Sequence, residues 1–392
     1  MKIVCVRLIV IVSVFAAPIF LFAQSRDPVE GCLVEKATVR TGGGKIGIFF
    51  SPDGRYVTQG GTRELRIWDV ETGRLASQFQ GKERSGWPVA FSPDGSFIAA
   101  ATRGNNIQIW ETSSGRLLQL LRTGYGDLTS LTFSPDGKRI AASGSDEKLL
   151  GLSKGENASK VWQVASGELI GSLNPDRLAA KSVIFSYVLF GPDSDSVISS
   201  FENQVAVWNA ATGRPMTYLS GPDQKSSEER VNSVGSIIGS MARSSDGSVV
   251  ATIPFYDGPT ILWRVPSEEP FLNTGQNANS GDFSPDNRFV VLGGKDKTAR
   301  VWDIEEKRQV KQLEGHNRSI RSVSFSSDGR FLLTSDSDTT LVWRIADWKI
   351  VAKIPKGGFG AFSPAGNILA TSRTRGRSDE ITLWALSQNC VR

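Results

Sequence analysis

The plainest regularity along the chain is a short apolar stretch that alternates with polar residues and closes on tryptophan. Leu65-Arg66-Ile67-Trp68-Asp69 and Ala299-Arg300-Val301-Trp302-Asp303 show it in full. Apolar residues at every second position put one face of an extended strand against a core. Eight such stretches end at Trp68, Trp110, Trp162, Trp208, Trp263, Trp302, Trp343 and Trp384, leaving only Trp87 and Trp348 outside the pattern. A four-residue phrase precedes each of them. It reads Ser51-Pro52-Asp53-Gly54, Ser92-Pro93-Asp94-Gly95, Ser134-Pro135-Asp136-Gly137, Gly191-Pro192-Asp193-Ser194, Ser244-Ser245-Asp246-Gly247, Ser284-Pro285-Asp286-Asn287, Ser326-Ser327-Asp328-Gly329 and Ser363-Pro364-Ala365-Gly366. Serine first, proline second and glycine fourth are what a type I turn prefers, so each phrase reverses the chain between two strands. Thr-Gly or Ser-Gly soon after several tryptophans marks another turn. The pattern predicts an all-β chain built from one repeated hairpin unit.

These units resemble WD40 repeats, with Trp-Asp intact at Trp68-Asp69 and Trp302-Asp303 and varied elsewhere. The resemblance covers nearly all of the chain after its first thirty or so residues. It implies four-stranded blades closed radially into a β-propeller. Eight blades are expected, at about 45 residues per unit after Cys32, with a seven-bladed ring carrying one irregular unit as the alternative. The family's Gly-His occurs once, at Gly315-His316, which implies a packing histidine rather than a base. Its aspartate before the last strand stands most clearly at Asp296. The resemblance therefore implies that the buried His-Asp network is mostly missing and that packing holds the blades.

Ring closure follows from counting strands. The last unit ends near Leu386 with only six residues left, too few for its own outer strand. A surplus strand at 33–39 precedes the first turn phrase, so the N-terminal strand is expected to complete the last blade. Cys32 begins that strand and Cys390 lies six residues past Trp384, which predicts a disulfide between them in an oxidising compartment.

Composition then narrows the chemistry. The 392 residues hold 45 Lys and Arg against 40 Asp and Glu, one histidine and three cysteines with no CxxC pair. Sites needing several imidazoles, zinc ribbons and thioredoxin-like centres drop out. Lys2 and Arg7 flank an apolar run from Leu8 to Ala23, followed by polar residues. Residues 1–23 are read as a signal peptide, 24–31 as a short N-terminal segment and 32–392 as the propeller. An uncleaved anchor is the alternative. Cleavage leaves a net charge of +3, too small for a nucleic-acid binder. A secreted or periplasmic protein without stable membrane insertion is expected.

Spacing locates the decoration. The third unit has 27 residues from turn proline to tryptophan where most have 16 or 17, and 30 and 37 residues follow Trp162 and Trp208 before the next phrase. The surplus maps to 145–158, 174–181, 221–231 and 373–379. By strand order each lies between the second and third strands or between blades, and in a propeller both loop classes open on one face. That face is the expected partner surface. Its basic sector carries Arg63, Lys82, Arg84, Arg103, Arg122, Arg373, Arg375 and Arg377, with Trp87 as an exposed aromatic, suited to a protein, peptide or glycan and to an anionic ligand. Asp193-Ser194-Asp195 and Asp336-Ser337-Asp338 read as strand-end turns, because neither has the spacing of a calcium loop. No cofactor or metal is expected. The reading is a non-catalytic scaffold; the competing class is a propeller enzyme, a quinone-dependent dehydrogenase or a lactonase-like hydrolase.

Overall fold

A computed structural model describes residues 32–41, 46–60, 65–79, 88–102, 106–125, 127–145, 159–173, 187–201, 204–219, 238–254, 257–265, 270–375 and 378–387. Within them lie 32 strands in eight four-stranded antiparallel sheets. Blades 1 to 7 span 46–79, 89–121, 127–173, 188–219, 238–273, 278–313 and 322–355, each running from an inner strand to an outer one in chain order. Blade 8 takes three strands from 360–386 and its outer strand from the N-terminal end. The ring is an eight-bladed β-propeller, and the seven-bladed alternative falls.

The repeated phrase explains why the hairpins form where they do. In blade 2 the Ser92 hydroxyl donates to Asp94 Oδ1 at 2.6 Å, that carboxylate accepts the Ser96 N–H at 3.0 Å, and Ser92 Oγ accepts the Phe97 N–H at 2.9 Å. Gly95 closes the turn onto the Ser92 carbonyl with φ of 71°, where any side chain is strained. The same serine is buried at Ser51, Ser134, Ser244, Ser284, Ser326 and Ser363. Asp193 serves the fourth turn, its Oδ1 taking the N–H of Asp195 and of Ser196 at 3.0 Å, as a strand-end role requires.

Packing is radial. Eight apolar clusters sit between neighbouring blades rather than in one centre, as where Phe325 of blade 7 lies with Val291, Ala299 and Val301 of blade 6. Six repeat tryptophans are buried in them, while Trp302 and Trp384 are half-buried. Trp348 packs edge-on against Phe289 at 6.3 Å between ring centres. Inner strands add polar stitches. Asp282 of blade 6 accepts the Phe325 N–H of blade 7 at 2.8 Å, and burial raises its carboxyl to about 6 against that bond.

The native state therefore binds a proton at Asp282 more readily than the unfolded chain, and its penalty grows as pH rises from about 4 to 6. Asp282→Asn is expected to remove that downward slope from the stability profile. Chemical denaturation at pH 4 and pH 7 measures it, and an unchanged profile refutes the assignment.

Closure takes the expected form. The strand Leu33–Arg40 pairs antiparallel with Ser378–Leu386, from Leu33 opposite Leu386 to Arg40 opposite Glu380. The Ser387 N–H donates to the Cys32 carbonyl at 2.9 Å, and the Thr41 N–H to that of Asp379 at 2.9 Å. Val39 joins Ile381 and Leu383 of blade 8 to Val57 and Trp68 of blade 1. Cys32 is disulfide-bonded; its expected partner, Cys390, lies outside the described residues, as does the 1–23 segment.

Candidate interaction face

The face in question is made by turns between second and third strands and by connections between blades. Most of its expected decoration, namely Arg63, Lys82, Arg84, Trp87, Arg103, Arg377 and nearly all of the first three insertions, lies outside the described residues, whereas the fourth, apart from 376–377, lengthens the paired strands Ile368–Arg375 and Ser378–Leu386 of blade 8. Arg122 is exposed just past the outer strand of blade 2. Arg373 is half-buried on the second strand of blade 8, and Arg375 lies two residues further along that strand, opposite Ser378. Blade 1 stands between Arg122 and Arg373. Acids also enter this sector: Glu380 and Asp379 are buried beside it, and Glu380 lies opposite both Arg40 and Arg373, with Arg40 Nε 3.6 Å from its carboxylate.

The described connections show a common device. Just after a glycine, one polar side chain turns inward and bonds the second strand of the blade that follows. Tyr125 donates to the Ala142 carbonyl at 3.3 Å, Gln276 to the Leu292 carbonyl at 3.0 Å, and His316 meets Thr334 Oγ1 at 2.8 Å. All three are buried. Tryptophan N–H groups end on the same region, Trp208 on Ser199 at 2.8 Å, Trp263 on Thr252 at 3.0 Å, Trp343 on Thr334 at 2.8 Å and Trp384 on Thr371 at 2.9 Å.

Blade 7 completes the network. The Trp343 N–H donates to Thr334, the Thr334 hydroxyl to His316 Nε2, and His316 Nδ1 to Asp336 Oδ2 at 3.0 Å; Asp336 Oδ1 accepts the N–H of Asp338 at 2.6 Å and of Thr339 at 2.7 Å. Every donor then has an acceptor with a neutral imidazole. Burial pulls the His316 pKa down despite the carboxylate beside it, whereas burial of Asp336 is outweighed by its backbone and imidazole donors, which hold it low.

One expectation needs correcting here. The aspartate of the buried network is Asp336, which also caps the strand-end turn read above, and Asp296 takes no part in it. Asp296 instead bonds Arg300 Nη2 at 2.6 Å and Thr298. The reason is that blade 6 has Leu292 where Thr334 stands and Gln276 where His316 stands, so no relay reaches the carboxylate. The Trp302 N–H goes to Gln276 Oε1 at 3.3 Å. A cavity of about 500 Å³ opens there, lined by Thr274, Gln276, Lys295, Asp296, Arg300 and Trp302 among others. Its cations are already matched, Lys295 by Asp257 at 3.2 Å and Arg300 by Asp296.

The family described as WD domain, G-beta repeat matches residues 89–111, 116–150, 273–303 and 307–344. The chain carries WD40 repeats. The matched WD40 segments fall in blades 2, 3, 6 and 7, including the complete network of blade 7. Similar proteins include autophagy-related protein 16 of Arabidopsis thaliana, 25% identical over 60% of this chain and 45% of its own length. Small ribosomal subunit protein RACK1y of Oryza sativa subsp. japonica is 27% identical over 41% and 48%, and transcription initiation factor TFIID subunit 5 of Caenorhabditis elegans is 27% identical over 48% and 28%. The chain spans less than half the length of each of these relatives. The crystal structure of the C-terminal WD40 domain of Sif2 superposes with a TM-score of 0.71 at 16% identity, over 91% of this chain and 98% of that one, which concerns the fold.

Proposed function

We propose that this protein is a non-catalytic scaffold acting outside the cytoplasm, which engages a protein partner, through an exposed peptide segment or its glycan, on the face formed by the blade connections. One observation carries the reading: the lengthened segments of an otherwise even repeat all fall in the two loop classes of that face, where the cavity beside Trp302 also opens. The signal-like N-terminus and the bonded Cys32 support the extracytoplasmic setting. Two relatives are named as subunits of assemblies, a ribosomal subunit and TFIID, which agrees with WD40 repeats serving as contact surfaces. Arg122, Arg373 and the other arginines of the basic sector suit an anionic patch on the partner.

Crosslinking of residues 24–392 in a native extracytoplasmic fraction, with the linked lysines mapped by mass spectrometry, tests this. A partner is expected to link through Lys45, Lys82, Lys148, Lys154, Lys181 or Lys225. Links confined to the opposite face, or none at all, overturn the assignment.

A further inference from the structure

One position of the repeat is filled differently in a single blade. The residue that ends each inner strand, just before the turn phrase, is Phe50, Phe91, Phe133, Phe190, Phe283, Phe325 and Phe362 in seven blades, and Arg243 in blade 5. Each phenylalanine is a wedge onto the preceding blade: Phe190 against Ala141 and Val161, Phe283 against Val249 and Ala251, Phe362 against Leu333 and Val342. Between blades 4 and 5 the apolar cluster is Ile198, Val205, Val207 and Leu219 with Ile238, Val250 and Trp263, the half-buried Met241, Ile261 and Val265 packing against it, and among the described residues no aromatic side chain stands at the inner-strand end in place of the wedge.

Arg243 is a poor substitute. Its side chain is partly buried and its Nη1 is out of water with no hydrogen-bond partner. The carboxylate nearest to it in charge, Asp246, is already occupied by the Ser244 hydroxyl and the Ser248 N–H. A buried donor left unpaired opposes closure of the surface that buries it.

The inner strands confirm the weakness from a second direction. Ser130 Oγ donates to the Val188 carbonyl between blades 3 and 4 at 3.2 Å, Ser280 Oγ accepts the Val323 N–H between blades 6 and 7 at 3.2 Å, and Ser322 Oγ accepts the Gly360 N–H between blades 7 and 8 at 3.2 Å. Such stitches are not present at every seam, and among the described residues none joins Val188–Phe190 to Ile238–Arg243; what sets this pair apart is that the two strands touch less than any other neighbouring inner pair. What holds the seam is the mid-blade cluster and, at the rim, Pro192 seated on Gly247.

We propose that the seam between blades 4 and 5 is the ring's opening point, where the inner strands part and Arg243 gains water while the other seams stay shut. The seam lies four blades from the closure between blades 8 and 1, counted either way round. Opening there yields two four-blade halves, 1 to 4 and 5 to 8, which remain joined through the strand Leu33–Arg40.

Hydrogen exchange by mass spectrometry on the oxidised full chain tests this without any substitution. Peptides covering Val188–Phe190 and Ile238–Arg243 are expected to exchange faster than those covering Ala278–Phe283 and Ser322–Phe325. Arg243→Phe, which restores the wedge, is expected to slow exchange at this seam roughly tenfold and leave the other seams unchanged. Arg243→Met is the second variant, since its unbranched chain fills irregular space if phenylalanine does not fit. Equal protection at all seams in the wild type overturns the proposal. So does a folded Phe or Met variant whose seam exchanges as before, or one that slows every seam alike.

Discussion

Cys32→Ser is expected to lower the unfolding free energy by on the order of 5 kcal/mol under non-reducing conditions, because the bridge we propose to Cys390 closes a loop of more than 350 residues. Among the described residues the strand Leu33–Arg40 is the one whose blade lies at the far end of the sequence, so its pairing with Ser378–Leu386 carries the full entropy of bringing the two ends together. Without the bridge that entropy falls on the strand pairs from Leu33–Leu386 to Arg40–Glu380, with the Cys32 carbonyl bonded to Ser387 and Val39 packed between blades 8 and 1. Chemical denaturation of wild type, Cys32→Ser, Cys390→Ser and the double variant measures the effect. Equal losses in both single variants, no further loss in the double, and the same loss in wild type with reductant are expected. A stable Cys390→Ser beside a weakened Cys32→Ser assigns the bridge to Cys5 and removes the proposed pairing.

The ring was legible because its punctuation is chemically demanding. A phrase such as Ser92-Pro93-Asp94-Gly95 places a hydroxyl, a carboxylate and a left-handed glycine where few other residues satisfy a tight turn, so eight hairpins could be placed from the chain alone. Strand closure was legible for a similar reason, one strand too few at one end and one too many at the other. The polar network was not. Asp296 sits at the spacing expected of the repeat and Asp336 does not, yet only the blade of Asp336 also supplies Thr334 and His316. A network of this kind exists only where all of its members do, so single positions mislead. Its signal was the joint presence of Gly315-His316 and Thr334 in one unit. The partner surface is the least legible part. Arg122 and Arg373 can be named from sequence, but Glu380, buried beside Arg40 and Arg373, comes from a pairing 340 residues apart and changes the local charge balance.

His316→Ala is expected to cost on the order of 3 kcal/mol at pH 7.5, the second large effect, since it leaves the Thr334 O–H without an acceptor and one oxygen of Asp336 without a donor, both buried, and opens a hole behind Trp343. The sign of its pH dependence follows from burial. Below pH 6.5 the unfolded chain protonates its histidine while the native imidazole, depressed by burial, stays neutral, so stability falls with pH from about 6.5 downward. Asp336, also held low, adds its own loss only as pH falls below about 4. The two windows are separate. In the Asp282→Asn background, which removes the opposing titration of Asp282, the parent should therefore lose stability between pH 6.5 and 5, and His316→Ala should be less stable at pH 7.5 yet nearly flat over that interval. His316→Gln is the control, because Gln276 does the equivalent work in blade 6, accepting from Trp302 and donating to a second-strand carbonyl. It should recover part of the stability while staying flat between pH 5 and 6.5. Urea denaturation at pH 5, 6.5 and 7.5 separates the outcomes: a slope that survives in both variants places the titrating group elsewhere, and full stability in His316→Ala removes the network from what holds blade 7 together.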